Sequence, residues 1–233
     1  MSRMENKNHS KYFELFNIFN RNNFSISEFK GWNGLLLIKL NFKKGSVINS
    51  TLIKSKFFDI NLKEKIFFVV SGVVELKLNK QKFNLKEYDA LNFFYENENY
   101  EIFCTEDAEA YIISVEGLKK IKKSPIFFNF KKDIIPNDIW GGQCISRVYF
   151  GESLNLVMFD LKPGFKFHDN GHENEQITWV VKGTMDFYVE NAKKKLSPDL
   201  GVDIGKSKFH GGVSNGAIGF DAFYPKREEK KYK

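Results

Sequence analysis

The sequence predicts an all-β protein built from two copies of one sandwich or barrel domain. Short apolar segments that alternate with polar residues and end at turn residues are typical of antiparallel strands. The chain has 233 residues and is rich in aromatic side chains, including 25 Phe, which favour strands and bury large areas. A segment that begins at Glu64 recurs at Glu175, which indicates an internal duplication.

The strand-like segments of the first half follow one another between about Trp32 and Val115. In order, they are Leu35-Leu-Leu-Ile-Lys-Leu-Asn-Phe42, Lys65-Ile-Phe-Phe-Val-Val70, Val73-Val-Glu-Leu-Lys-Leu78, Ala90-Leu-Asn-Phe-Phe94 and Ala110-Tyr-Ile-Ile-Ser-Val115. Before them, the segment from Ser10 to Phe19 fits either a short amphipathic helix or an added strand. We expect few helices elsewhere, all of them short.

The second half repeats this pattern. Residues 64–78 align without a gap to residues 175–189, Glu-Gln-Ile-Thr-Trp-Val-Val-Lys-Gly-Thr-Met-Asp-Phe-Tyr-Val. The two segments are offset by 111 residues, and a repeat of that length indicates two copies of one domain. We expect a leader over 1–28, a first domain over 29–120 and a second over 121–229, with a boundary in the basic link Lys119-Lys-Ile-Lys-Lys-Ser-Pro125.

Composition narrows the classes of function. The net charge is +7, but the 36 basic residues include only four arginines, and the lysines are interleaved with acids instead of clustered. This distribution argues against a nucleic-acid-binding face. No apolar run is long enough to span a bilayer, and the first residues carry no apolar signal core, so a cytoplasmic location is expected. Cys104 and Cys144 lie far apart, and we expect reduced thiols.

Histidines are concentrated in the second half. His168, His172 and His210 fall there, whereas the first half has only His9. Imidazole is the commonest protein ligand for transition metals. A split histidine cluster with strand patterns between its parts indicates a metal site on a β scaffold.

These residues resemble the motifs of cupins, and the duplication resembles a bicupin. Gly164, His172, Gln176 and Gly183 follow the order of the first cupin motif, and His210 stands where the second motif places its histidine. The resemblance implies two tandem jelly-roll (double-stranded β-helix) barrels. It also implies one divalent ion, Ni, Zn, Mn or Fe, held by His168, His172, Gln176 and His210.

One position departs from the family pattern. Strict His-x-His spacing would place the first ligand at Asn170, and the nearest histidine, His168, comes two residues early. A bulge in the turn-prone Asp169-Asn-Gly171 could bring His168 inward. The alternative is a three-ligand site completed by water, with help from Asn170. After a shift of register, Glu173 or Glu175 could also serve as a ligand.

The first copy lacks these ligands. The repeat aligns His172 with Asn61 and Gln176 with Lys65, and with a small slip it aligns His210 with Tyr100. A cationic lysine disfavours a divalent ion at that position. The first domain is therefore expected to be metal-free, with a structural or pocket-closing role.

The C-terminal run Phe220-Asp-Ala-Phe-Tyr-Pro-Lys-Arg227 is similar to the Asp-x-Phe-x-Pro-x-Arg ending of a cupin subgroup. That subgroup includes enzymes that open unsaturated uronates. The resemblance implies catalytic roles for Asp221 and Arg227 beside the metal, with Phe223 lining the pocket. Asp221 could instead be a turn acid that pairs with Arg227.

The expected function is a metal-dependent enzyme acting on a small carboxylated or polyhydroxylated metabolite by isomerisation, ring opening or lyase chemistry, with a uronate-like substrate favoured. Four neutral ligands would leave a strong Lewis acid, with Asp221 as general acid or base and Arg227 holding a carboxylate. Arg147 and Trp179 are expected in the substrate pocket, although a structural ion pair and a core position respectively also fit. The alternatives are a dioxygenase or a non-catalytic binding protein. We expect a small-molecule substrate and a monomer or homodimer.

Overall fold

A computed structural model describes residues 10–21, 23–49, 62–94, 100–116, 124–138 and 140–228. The described residues form strands and connecting turns, with no helix among them. Accordingly, no helix with the length and apolarity needed to cross a membrane occurs in this part of the chain. Of the two alternatives for residues 10–19, the structure has strands: β1 (Lys11–Glu14) and the start of β2 (Phe16–Arg21).

The first barrel consists of two sheets that enclose one apolar core. The seven-stranded sheet contains β2, β3 (Phe24–Lys30), β4 (Leu35–Phe42), β6 (Leu62–Ser71), β9 (Asp89–Phe93), β11 (Ala108–Glu116) and β12 (Ile126–Asn129), in the order β12-β9-β6-β11-β4-β3-β2. The four-stranded sheet contains β5 (Val47–Asn49), β7 (Val74–Leu78), β8 (Gln81–Leu85) and β10 (Tyr100–Cys104), in the order β5-β10-β7-β8. Side chains from both sheets fill the space between them.

The second barrel is a single nine-stranded sheet that folds back on itself. Its strands are β1, β13 (Asn137–Asp138), β14 (Cys144–Phe150), β15 (Asn155–Leu161), β16 (Lys166–Asp169), β17 (Glu175–Val189), β18 (Ala192–Leu196), β19 (Leu200–Ile204) and β20 (His210–Tyr224). The long strands β17 and β20 pair along their length, with register shifts on both sides of Gly183. At Gly183 φ is +77°, and an added Cβ would lie 1.7 Å from the carbonyl oxygen of Gly216, so the bend requires glycine.

Two strands do not follow the predicted domain boundaries. β1, which lies in the predicted leader, pairs with β19 of the second barrel. β12, which lies beyond the predicted boundary, pairs with β9 of the first barrel. The second barrel therefore includes a strand from the N-terminal segment, and the first barrel includes a strand from beyond the predicted boundary.

An apolar core between the barrels explains why several strands are buried on both faces. Along β4, Leu36 and Ile38 pack inside the first barrel, whereas Leu35 and Leu37 pack against the second. Near-continuous apolar runs are typical of strands that are covered on both sides. The same junction contains the repeat-equivalent rings of Phe68 and Trp179, together with Tyr111 and Phe220; the ring centroids of Phe68 and Phe220 are 4.6 Å apart.

Each barrel has a buried glutamate that accepts hydrogen bonds from a turn of the opposite barrel. The two glutamates occupy equivalent positions in the repeat. Glu64 of the first barrel accepts hydrogen bonds from the backbone N–H groups of Glu152 and Ser153, at 2.9 and 2.6 Å. These groups belong to the turn that precedes β15. A Cβ at Gly151 would lie 2.3 Å from Glu64 Oε1, so the turn approaches this closely because it carries glycine.

Glu175 makes the reciprocal contact from the second barrel. It accepts hydrogen bonds from the N–H groups of Asn33 and Leu35, at 2.9 and 3.1 Å, in the turn that leads into β4. A Cβ at Gly31 would lie 2.1 Å from Glu175 Oε1. Burial raises the pKa of Glu175 to about 7, although these N–H groups oppose the shift. The two contacts are specific polar anchors beside the apolar core that joins the barrels.

Candidate metal centre

The candidate centre lies inside the second barrel, at a cavity of about 230 Å³. Strand alternation decides which side chains reach it. On β17, Gln176 and Thr178 line the cavity, and on β20, Asp221 and Phe223 do. The residues between them, Ile177 and Ala222 among others, face the core between the barrels.

Three side chains that could hold a metal ion meet at one end of this cavity, and two of them, Asp169 and His210, line it. One ligand atom from each of Asp169, His172 and His210 lies within 4.8 Å of the others. Asp169 is the strand partner of His210 in the pairing of β16 with β20, and paired residues present their side chains on the same face. The ring of His172 stands nearly perpendicular to that of His210, with the centroids 5.3 Å apart.

Both histidines have one nitrogen fixed by the backbone. His172 Nδ1 lies 2.9 Å from the carbonyl oxygen of Asn174, and His210 Nδ1 lies 2.8 Å from that of Lys208. A carbonyl oxygen only accepts, so each Nδ1 carries the hydrogen, and each Nε2 of the neutral ring has a free lone pair. This arrangement is common among metal-binding histidines.

Gln176 presents a second acceptor to His172. Its amide nitrogen donates to Thr178 Oγ1 at 2.8 Å and to Asp221 Oδ1 at 3.0 Å, which fixes the orientation of the amide. Its oxygen Oε1 therefore faces His172 Nε2, 2.8 Å away. Two acceptor atoms thus lie side by side. A proton between them satisfies both lone pairs, and so does a metal cation about 2.1 Å from each, to one side of the line that joins them. Burial and the charge of Arg227 hold the pKa of His172 below its usual range, which disfavours the proton.

Asp221 is held deep in the cavity by the same network. The hydroxyl group of Thr178 donates to Asp221 Oδ1 at 2.5 Å, beside the bond from Gln176. Burial raises the pKa of Asp221 to about 6, and these two donors limit the rise. A carboxyl group with a pKa near neutrality is suited to acid–base chemistry.

Arg227 reaches the cavity from the C-terminal segment. Its guanidinium lies 5.0 Å above the ring of Phe223 and 3.4 Å from Asp169 Oδ2. The ion pair that the structure shows is therefore with Asp169, and Asp221 is bonded to Gln176 and Thr178 instead. Burial favours the neutral form of Asp169, but the N–H of Gly171 and the charges of the neighbouring residues outweigh it and lower the pKa.

His168 stands apart from the cluster. On β16 its neighbours Phe167 and Asp169 are half-buried, whereas the His168 side chain is exposed. Its Nε2 donates to Asn170 Oδ1 at 2.9 Å, and its ring meets the edge of Phe209. The structure thus brings Asp169 to the position where His168 was expected, and it shows no bulge that turns His168 inward.

Two residues expected in the pocket lie elsewhere. Trp179 is buried in the core between the barrels, because it has the opposite strand parity to Gln176. Arg147 is likewise not among the lining residues, whereas its neighbour Ser146 on β14 is. The Nε atom of Arg147 is buried and has no hydrogen-bond partner among the described residues.

The remaining candidates from the sequence also have definite places. Glu173 is exposed and contacts Lys206 and Ser207, and Glu175 faces the first barrel as described above. In the first barrel, Tyr100 packs into the core and Lys65 Nζ lies 5.7 Å from the Phe93 ring centroid. The remaining equivalent position, Asn61, is outside the described residues. Both cysteines are free thiols, and Cys144 lines the cavity.

Sequence reasoning missed Asp169 and Thr178. Thr178 shares strand parity with Gln176, so the alternation that predicted β17 also contained the signal for Thr178. Asp169 was considered only as a turn residue. Its role depends on the register of β16 against β20, for which the sequence carries no local signal.

No family model and no curated protein matches the chain. Solved structures do match it over nearly its whole length. AerE from Microcystis aeruginosa superimposes with a TM-score of 0.73 at 13% identity, covering 91% of this chain and 97% of that one. Protein Ylba from E. coli gives 0.73 at 11% identity, covering 95% and 93%.

Oxalate decarboxylase from Bacillus subtilis gives a TM-score of 0.70 at 8% identity, covering 92% of this chain and 76% of that one. These neighbours are cupin-fold proteins. The chain has the cupin fold. Two cupin jelly-roll barrels stand in tandem, as the repeat predicted. The candidate metal centre lies within the second cupin barrel, between strands that carry the two motifs.

Proposed function

We propose that this protein is a metal-dependent enzyme that acts on a small carboxylated or polyhydroxylated metabolite in its second barrel. The observation that carries the proposal is the pair of acceptor atoms His172 Nε2 and Gln176 Oε1, 2.8 Å apart. A divalent cation about 2.1 Å from each atom, to one side of the line that joins them, would satisfy both lone pairs. Support also comes from the fold, since the neighbouring oxalate decarboxylase is described with Mn(II) centres.

The residues that would hold the ion are His172, Gln176 and His210, with Asp169 where His168 was expected. Nitrogen and oxygen donors of this kind suit Mn, Fe, Ni or Zn, so the donor set leaves the metal open. A bound divalent ion supplies Lewis-acid polarisation of a substrate oxygen.

The chain's own residues provide the remaining chemistry. Asp221 can accept or donate a proton beside the centre, because its pKa is raised towards neutrality and its carboxyl lines the cavity. Thr178 and the Gln176 amide fix the position of that carboxyl. Arg227 can bind a substrate carboxylate through its guanidinium. Isomerisation, ring opening and lyase reactions all need these roles, and the C-terminal ending supports the resemblance to the uronate-opening subgroup.

A second candidate, an oxygenase, is favoured by one observation. Two histidines and the carboxylate of Asp169 form the donor set that non-haem iron oxygenases use. Gln176, a neutral residue in place of a carboxylate ligand, is the feature that favours Lewis-acid chemistry over oxygen activation. Oxygen uptake by iron-loaded protein on a carboxylic acid substrate would favour this candidate over isomerisation or lyase chemistry.

Metal analysis of the purified protein tests the proposal. We expect near-stoichiometric divalent metal in the wild type and a sharp loss of metal in His210→Ala, with unchanged strand content by circular dichroism. Asp221→Asn should keep its metal and lose turnover. A folded wild-type protein that takes up none of the four metals would disprove the proposed function.

A further inference from the structure

The lining of the cavity is polar at the candidate metal centre and mostly apolar away from it. Beyond the cluster of Asp169, His172 and His210, its wall is formed largely by apolar side chains. The inner part of the wall consists of Val157, Phe159, Leu161 and Met185, all buried. The polar groups are thus concentrated at one end, and an apolar chamber adjoins them.

Aromatic rings connect the mouth of the cavity to the centre. Trp140, which is 51% exposed, meets Phe165 edge-on with the centroids 5.2 Å apart. Phe165 stacks with Phe167 at 6.3 Å, and Phe167 lies 5.9 Å from Phe187. Phe187 in turn lies 6.2 Å from the ring of His210, which belongs to the centre. Successive rings at these spacings make one continuous apolar surface.

This wall offers few hydrogen-bonding partners to a ligand. Away from the centre, the groups in its described lining that can form hydrogen bonds are the side chains of Asn137 and Ser146, the indole N–H of Trp140, the weakly donating thiol of Cys144 and, at the exposed rim, His168. Each hydroxyl group that leaves water without a new partner weakens binding. A polyhydroxylated body would therefore be penalised, whereas a hydrocarbon ring or branched chain would gain by burial.

We propose that the substrate is a small acid with an apolar body: a carboxylate with an adjacent oxygen lies at the centre, and an unsubstituted ring or branched alkyl group lies against the aromatic wall. This inference rests on the proposed function for the polar end. Within that substrate class it selects a carboxylated metabolite with an apolar body and rejects a polyhydroxylated one such as a uronate. The cavity of about 230 Å³ limits the ligand to a small metabolite, because pockets for drug-sized ligands begin at roughly 300 Å³.

Three 2-hydroxy acids with one common head and different bodies test the inference. Glycolate has the head alone, mandelate adds a phenyl ring, and gluconate adds a chain of hydroxyl groups. With Mn²⁺-loaded full-length protein in titration calorimetry, we expect mandelate to bind about tenfold more tightly than glycolate or better. Gluconate should bind no more tightly than glycolate, because its hydroxyl groups lose water without gaining partners. Equal affinities, no measurable binding of any acid, or a preference for gluconate would overturn the inference while leaving the metal site intact.

A variant of the wall separates packing from metal binding. Phe167→Ala should remove most of the mandelate advantage and leave the affinities for glycolate and Mn²⁺ unchanged. The matched control is Phe103→Ala, which removes an exposed ring from the first barrel. It should leave the affinities for mandelate, glycolate and Mn²⁺ unchanged. If the protein binds no metal, the proposed function fails. A mandelate advantage that Phe167→Ala abolishes in metal-free protein would still support the apolar wall, and its absence there would refute it.

Discussion

Replacing Asp169 and His168 separately by alanine tests which residue of β16 belongs to the metal centre. The two are neighbours in sequence and face opposite sides of the strand. A ligand atom of Asp169 lies within 4.8 Å of those of His172 and His210, whereas His168 is exposed and bonded to Asn170. We therefore expect the metal affinity to fall sharply in Asp169→Ala and to stay the same in His168→Ala.

The magnitude follows from the position of each side chain. Removing a group that merely supports a metal ligand costs about 10–100-fold in affinity. A direct ligand should cost more, so we expect Asp169→Ala to weaken binding by about 100-fold or more, equivalent to about 2.7 kcal/mol. Asp169→Asn keeps an oxygen donor but loses the charge, and its affinity should lie between those of the wild type and Asp169→Ala. His168→Ala should change the affinity by less than about twofold, since its side chain lies in solvent.

The assay is competition for Mn²⁺ or Zn²⁺ against a calibrated fluorescent chelator, with all variants compared at one pH. Thermal unfolding of the metal-free variants controls for loss of structure, because Asp169 also pairs with Arg227. The reasoning would be refuted if His168→Ala lost as much affinity as Asp169→Ala. That result would mean that β16 shifts when metal binds and turns His168 inward.

Three further predictions concern stability. Burial, reinforced by the nearby Glu175, raises the pKa of Asp203 to about 8, so the stability that its protonated form contributes is present below pH ~4 and is lost as the pH rises towards 8. The melting temperature of Asp203→Asn relative to wild type should therefore increase over that range. Phe68→Ala should lower the free energy of unfolding by about 3–5 kcal/mol, because its fully buried ring fills the core between the barrels. Glu64→Ala should lower the free energy of unfolding by about 1–3 kcal/mol for each backbone N–H that it leaves without an acceptor.

Denaturant and thermal unfolding measure these effects, with Phe103→Ala as the control for loss of an exposed ring. A Phe68→Ala variant no less stable than Phe103→Ala would contradict the inter-barrel core. Melting curves of Asp203→Asn and wild type that shift in parallel with pH would contradict a raised pKa. A fully stable Glu64→Ala would show that water replaces the carboxylate at the turn.

The sequence by itself determined the all-β fold, the tandem repeat and most of the residues at the centre. Period-two alternation fixes which residues share a strand face, so Gln176 and Thr178 necessarily lie together, opposite Trp179. Motif order placed His172, Gln176 and His210 in one half of the chain, and the structure brings them close together. The alternation is local, because it depends on spacing along a single strand, whereas the repeat and the motif order are patterns of the sequence as a whole.

Tertiary structure alone decided which face of each strand lines the cavity and which packs between the barrels. Both faces of β17 carry apolar residues, since one face lines the interior of the second barrel and the other packs against the first barrel, so hydrophobicity could not place Trp179. Similarly, the pairing of Asp169 with His210 depends on how β16 meets β20, and three strands, β17, β18 and β19, separate the two in sequence. That register is set by contacts distant in sequence, and it is why Asp169 and not His168 joins the candidate metal centre.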